Sequence, residues 1–152
     1  MNVKMVAAGP EHIPSLVEGM SPLVKRELQK RYPGVFIEDV LAVAIARADE
    51  AYAGFVGDDL VCVIGVSSEN VLSTVGHPWL IPHTNVNKHK WVFLKGCKPW
   101  IQHLLTKYES LQNSVPASHK RAVRWLKWLG FTIEPAINKN GIMVHPYRIQ
   151  RA

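Results

Sequence analysis

Lys95-Gly96-Cys97-Lys98 sets two ammonium groups three residues apart, with Pro99 directly behind them. Such a pair attracts phosphate by charge, and a proline early in a helix gives up only an N–H that has no helical acceptor. The stretch 88–98 therefore reads as a basic loop feeding a helix from about Lys98 to Tyr108, with Ile101, Leu104, Leu105 and Tyr108 on one face. A second basic cluster fills 120–127. At about 100° per residue, Ala122, Trp125, Leu126 and Leu129 share one arc, while Lys120, Arg121, Arg124, Lys127 and Trp128 fill the other. Trp125 on the apolar arc reads as core. Arg121, Arg124 and Trp128 are residue types enriched among binding hot spots, so their face reads as a partner-binding surface. Trp128 suits a protein interface, a stacking surface, or a ring lying flat under arginine stems. Lys120 and Arg121 stand against the positive end of the helix dipole, disfavoured by about 0.3–1 kcal/mol each. A bound anion or plain solvent screening relieves that. His119 sits at the start of this helix, where a histidine is either a surface residue or a proton-carrying one.

Other chemistries find little here. His77, His83 and His89 recur every six residues, which matches no helical ligand spacing, and no cysteine pair helps, so no metal site is expected. Ser67-Ser68-Glu69 and Ser73-Thr74 lack a nucleophile-elbow context. Glu38, Asp39, Asp49 and Glu50 lie on the outer face of a helix and read as solvated surface. Glu69 and His83, near the middle of the strand-rich region, are the only candidates for a base that deprotonates an amine. No catalytic residue is assigned.

The elements that must position these residues alternate along the chain. Val3 to Ala8 reads as a strand, and Pro10-Glu11-His12 opens a short helix near 11–19. Ser21-Pro22 caps a helix to about Arg31, which Pro33-Gly34 ends. Phe36 to Glu50 carries Ile37, Val40, Leu41, Ala44, Ile45 and Ala48 at helical spacing and reads as core packing. Ala51–Val56 and Leu60–Ser67 form a hairpin about Gly57-Asp58-Asp59, and a further strand lies around Trp79-Leu80-Ile81. After the basic loop and its helix, a short strand runs into the 120s helix. Gly130 stops that helix in the left-handed conformation. Phe131–Ile137 and Ile142–Arg148 close the chain as a hairpin about Asn140-Gly141. The pattern is α/β with a mixed sheet in a single domain, 1–152.

Composition bounds the partners. The chain has 152 residues, 47% of them hydrophobic, and mean hydropathy is −0.01. That is apolar material enough for a core. No apolar run approaches the roughly 18 residues of a membrane span, and the N-terminus lacks a secretory apolar segment. Two cysteines are too few for a disulfide scaffold, so a reducing cytoplasm is expected. A net charge of +6 and a pI near 9.5 favour polyanions or a phosphorylated cofactor. Nucleic acid is a possible partner on this ground and not the favoured one.

The order of elements resembles the GNAT N-acetyltransferase fold, with a mostly antiparallel sheet flanked by helices. More narrowly, Gly76-His77-Pro78-Trp79-Leu80-Ile81, Phe93-Leu94-Lys95-Gly96-Cys97-Lys98, Tyr108-x-x-Leu111-x-Asn113-x-Val115 and Arg124-Trp125-Leu126-Lys127-Trp128-Leu129-Gly130-Phe131 resemble the small GNAT-like internal virion proteins of short-tailed tailed phages. The resemblance implies acetyl-CoA as cofactor, its pyrophosphate held on backbone amides of a glycine-rich turn. Lys95, Gly96, Cys97 and Lys98 match that turn with one glycine and two lysines instead of the full motif. It also implies Asn-x-x-Ala-x-x-x-Tyr-x-x-x-Gly-Phe in the last helix. Anchored on Gly130-Phe131, His119 stands at the asparagine as a further cofactor-binding candidate, Ala122 at the alanine and Leu126 at the tyrosine that protonates the departing thiolate. Leucine donates no proton. With both motifs degraded, the leading expectation is a phage protein that supports virion assembly by binding other phage virion or host proteins, present in the host cytoplasm or in the virion. The alternative is an acyl-CoA-dependent N-acetyltransferase acting on a host or phage protein.

Overall fold

The computed structural model describes residues 2–152. The strands are β1 (Lys4–Ala7), β2 (Glu50–Val56), β3 (Asp59–Ser67), β4 (Val75–Pro82), β5 (Ser110–Pro116), β6 (Thr132–Ile133), β7 (Ile137–Lys139) and β8 (Ile142–Gln150). The helices are α1 (Ile13–Glu18), α2 (Pro22–Arg31), α3 (Ile37–Arg47), α4 (Lys90–Lys107) and α5 (Lys120–Trp128). Single 3-10 turns lie at Pro10–His12 and Thr84–Lys88. The β4–β5 ladder is parallel, whereas the β1–β2, β2–β3, β5–β8, β6–β8 and β7–β8 ladders are antiparallel. The fold is thus α/β, with a mostly antiparallel sheet flanked by helices.

The described chain forms two compact units, residues 2–67 with 79–96, and residues 68–78 with 97–152. In the first, β3 is buried from Leu60 to Val66 without alternation, which marks a strand covered on both faces. Ile13, Leu16 and Met20 of the α1 region and Leu41 of α3 pack with Ala53, Leu60 and Val63. Leu28, Ile37, Ile45, Trp79 and Ile81 border this cluster. Ser21 caps α2 as its sequence predicts, its Oγ accepting from the Val24 N–H at 3.3 Å. In the second unit, β5 and β8 pair over seven residues, and Leu104 and Leu111 are fully buried.

The closing hairpin differs from the sequence expectation in one strand. The predicted strand from Phe131 to Ile137 is broken into β6 and β7 around Pro135, which has no N–H to give a ladder. The Glu134 N–H still reaches the Pro146 carbonyl at 2.8 Å, just before the break. The Asn140-Gly141 turn forms as expected, both residues at positive φ (53° and 85°).

Gly65 tests how tightly β3 is covered. A Cβ there would lie 2.4 Å from the Trp79 ring and 3.0 Å from the Glu50 carbonyl oxygen, and that backbone atom sits in the adjoining ladder. Gly65→Ala is expected to destabilise the protein by about 1–3 kcal/mol through overpacking, read as a lower urea midpoint with an unchanged slope.

Candidate functional site

The connection from β4 to α4 is built around one histidine. β4 ends at Pro82, and the His83 N–H donates to the Val61 carbonyl at 2.9 Å. The His83 ring then caps the 3-10 turn, Nδ1 accepting from the Asn85 N–H at 2.9 Å. It lies hard against Gly19, where a Cβ would stand 1.8 Å from Nε2. The Thr84 N–H donates to the Gly19 carbonyl at 2.8 Å, the Asn85 side chain donates to the Leu60 carbonyl at 3.1 Å, and Val86 is buried. His89 closes the turn, its Nε2 lying 3.0 Å from Asp59 Oδ2. That hydrogen bond is the main reason the Asp59 carboxyl titrates below its ordinary range, with Lys88 and the His83 and His89 rings adding to it against some burial. Burial holds the His83 imidazole below the usual histidine value, partly offset by Asp59 and Glu18.

The turn delivers the chain to Lys90, the first residue of α4. Helical bonding begins when the Phe93 N–H meets the His89 carbonyl at 2.9 Å, so the amides before it have no intrahelical acceptor. No acidic residue occupies the first turn, and Lys88 and Lys90 are exposed beside it. Amides, dipole and two ammonium groups of this kind make an anion site.

Lys95, Gly96, Cys97 and Lys98 are not in a loop. They lie inside α4, where backbone amides bond within the helix, so Lys95 and Lys98 can act only through their side chains. The Lys95 ammonium sits 5.4 Å from the Trp91 ring, and that of Lys98 lies 4.0 Å from Trp128. Gly96 makes room for Val3, whose Cγ2 would be 3.1 Å from an added Cβ. Burial pushes the Cys97 thiol up to about 12, which keeps it protonated and unreactive. Pro99, read from sequence as a helix start, stands ten residues into the helix. What the sequence reading missed was the helix start at Lys90. The signal was present: Phe93, Leu94 and Cys97 extend the apolar spacing of Ile101 and Leu104 backward, which puts the helix start well before Pro99.

In the second unit the parallel β4–β5 ladder holds only two register pairs, Val75 with Ser110 and Gly76 with Leu111. Side chains take over from there. The His77 Nδ1–H donates to the Gln112 carbonyl at 2.8 Å, and the Asn113 amide donates to the Pro78 carbonyl at 2.6 Å. The Tyr147 hydroxyl also reaches the Pro78 carbonyl, at 3.4 Å, and its ring packs edge-on to Phe131. On α5, Ala122, Trp125, Leu126 and Leu129 are half-buried and none is fully buried, so Trp125 is shallower than the core position expected of it. The Arg121 guanidinium lies 5.0 Å from the Trp125 ring. His119 is the N-cap residue, and its side chain makes no capping bond. Arg124 and Trp128 are exposed, with Arg121 half-buried beside them. Glu69 lies exposed in the β3–β4 connection, and His83 is committed as a cap. Among the described residues no group of three His, Cys, Asp or Glu side chains is placed to hold a metal.

No protein-family model matches the sequence, and no curated protein matches it. Solved structures do. A spermidine N-acetyltransferase from Vibrio cholerae, in complex with CoA and spermine, superposes with a TM-score of 0.73 at 12% identity, over 98% of this chain and 95% of the other. The ribosomal α-N-protein acetyltransferase RimL, in complex with coenzyme A, gives 0.72 at 13% identity, over 99% and 94%. An acetyltransferase of the GNAT family from Streptococcus pneumoniae gives 0.63 at 13% identity, over 99% of this chain and all of the other. The chain has the GNAT fold. In this chain a 3-10 turn leads into α4, and Leu126 stands on α5.

The His83 cap carries a pH dependence. A histidine whose folded pKa is depressed is neutral in the native protein while the unfolded chain takes up a proton, so stability falls as pH drops below the unfolded value. Loss of stability is expected below about pH 6.5, and protonation also removes the Nδ1 acceptor that the Asn85 N–H uses. Urea denaturation across pH 5–8 should show this slope in the wild type and a flatter one in His83→Asn. An equal slope in both places the titration elsewhere.

Proposed function

We propose that the chain is an acyl-CoA-dependent N-acetyltransferase acting on a protein of a phage or its host. The observation that carries this reading is the N-terminus of α4, where first-turn amides and exposed Lys88 and Lys90 follow β4. The GNAT fold of the solved relatives supports it, two of them in complex with coenzyme A. The residues fit a phosphate group at the helix end. They fit a glycine-rich turn less well, because the amides of Asn85, Val86 and His89 are engaged within the 3-10 turn. Lys88 and Lys90 would hold the phosphates by charge, and the His83 clamp would fix the helix end that presents them. Acetyl-CoA, when bound, supplies a thioester whose acetyl group passes to an amine. Leu126 offers no proton to the leaving thiolate, so turnover is expected to be about a hundredfold or more below that of an enzyme with a general acid in place.

Leu126 also favours a second reading, in which catalysis has been lost and the fold serves virion assembly by binding other proteins. Titration of acetyl-CoA by calorimetry separates the two. The acetyltransferase reading expects binding that Lys88→Glu with Lys90→Glu weakens about tenfold or more, the equivalent of about 1.4 kcal/mol. Lys95→Glu with Lys98→Glu changes the net charge by the same amount and is expected to weaken it far less. Equal losses indicate general attraction to a basic protein. No binding at millimolar acetyl-CoA removes the enzyme reading and leaves the assembly one. Where binding holds, Leu126→Tyr is expected to raise thiol release at least tenfold with little change in affinity.

A further inference from the structure

The charge of this chain is confined to one of its two units. Residues 2–67 and 79–96 hold nine Lys and Arg against nine Asp and Glu, and are neutral overall. Residues 68–78 and 97–152 hold nine against three, so the second unit carries the whole formal charge of +6. Within it α5 concentrates four of the cations, Lys120, Arg121, Arg124 and Lys127, and no acid. Among the described residues Lys98, Lys120, Arg124 and Lys127 form no ion pair, and all four are exposed. The same face carries Trp128, 39% exposed, with the Lys98 ammonium 4.0 Å from its ring.

We infer that the solvent face of α5, with Lys98 beside it, binds single-stranded nucleic acid. Three exposed cations at Lys120, Arg124 and Lys127 run along a helix about 13 Å long and track a phosphate backbone. An unpaired base stacks on Trp128 by displacing the Lys98 ammonium from over its ring, and that cation then meets the adjoining phosphate. A duplex keeps its base faces inside and has no use for the exposed indole. An acidic protein segment is met by the cations alone. The face lies within the second unit, and the inference does not depend on acetyl-CoA binding.

Fluorescence anisotropy with a labelled twelve-nucleotide oligothymidylate tests it. Binding is expected with a log–log salt slope of about −3, as neutralising four phosphates on a single strand requires. Arg124→Gln with Lys127→Gln should reduce that slope by about 1.4. Trp128→Ala should weaken oligonucleotide binding about tenfold or more while leaving heparin binding, which needs charge alone, unchanged. Lys25→Gln with Lys30→Gln and Lys88→Gln with Lys90→Gln, both in the neutral unit, should leave the oligonucleotide affinity as it was. Retention of wild-type affinity by Trp128→Ala, or equal loss for heparin, overturns the stacking site. Tighter binding of a duplex of the same length, or of polyglutamate, overturns the choice of partner, and no oligonucleotide binding at low salt overturns the inference outright. Far-UV circular dichroism of each variant shows that a loss of binding is not a loss of fold.

Discussion

His83 seated on Gly19 is the contact on which the first unit's functional geometry depends. The chain leaves β4 at Pro82 and must begin α4 at Lys90, with only a 3-10 turn between. Backbone groups in so short a connection have to be paired where they stand, since an unpaired buried amide costs about as much as a lost hydrogen bond. The His83 ring satisfies Asn85, the Gly19 carbonyl satisfies Thr84, and the Val61 carbonyl satisfies His83 itself. The short turn thereby ties the end of α1 and β3 to the start of α4. No residue larger than glycine fits beneath the His83 ring. The direction of α4, and the place where its first turn begins, follow from that single packing choice.

The second unit obeys a different constraint. Its parallel ladder stops after two pairs, and the strands are then held by side chains instead of backbone. His77, Asn113 and Tyr147 converge on the Gln112 and Pro78 carbonyls. Proline at 78 makes this necessary, because a strand residue without an N–H leaves its ladder incomplete. The Pro78 carbonyl is compensated twice over. The β4–β5 seam is thus held at one end by backbone and at the other by three specific side chains.

How much of this was legible in the sequence depended on whether the signal was local. The Ser21 cap, the Asn140-Gly141 turn and the periodic face of α3 each rest on a few adjacent residues, and each is found where the residues put it. The start of α4 was hidden by Pro99. Proline favours a first helical turn because its missing N–H is harmless there, yet a long helix that tolerates a bend accepts it inside. Reading Pro99 as a start placed the expected phosphate turn at Lys95–Lys98, whereas the helix begins at Lys90. The break at Pro135 had a local cause that the apolar run from Phe131 to Ile137 concealed. The His83–Gly19 contact, 64 residues apart, and the His89–Asp59 pair had no trace in either local pattern.

The electrostatics of α5 run against its own stability. Arg124 sits four residues from Lys120 and three from Lys127, and like charges at such spacings each cost roughly 0.2–0.5 kcal/mol. Lys120 and Arg121 face the positive end of the dipole, with no acid in the first turn and no side-chain cap at His119 to offset them. Packing gives only half-buried anchors in return. The two cation–ring contacts are partial relief: Arg121 over Trp125 hides one charge against a ring, and Lys98 over Trp128 adds a fifth charge to the surface. Screening by salt lowers these costs without removing their sign. A helix that needed only to cover the sheet would keep Ala122, Trp125, Leu126 and Leu129 and carry mixed charges outside, as surface helices do. Breaking that local rule at four positions out of nine, on one face and in the one unit that is not neutral, is the pattern expected where a sequence has been held for a ligand instead of for the fold.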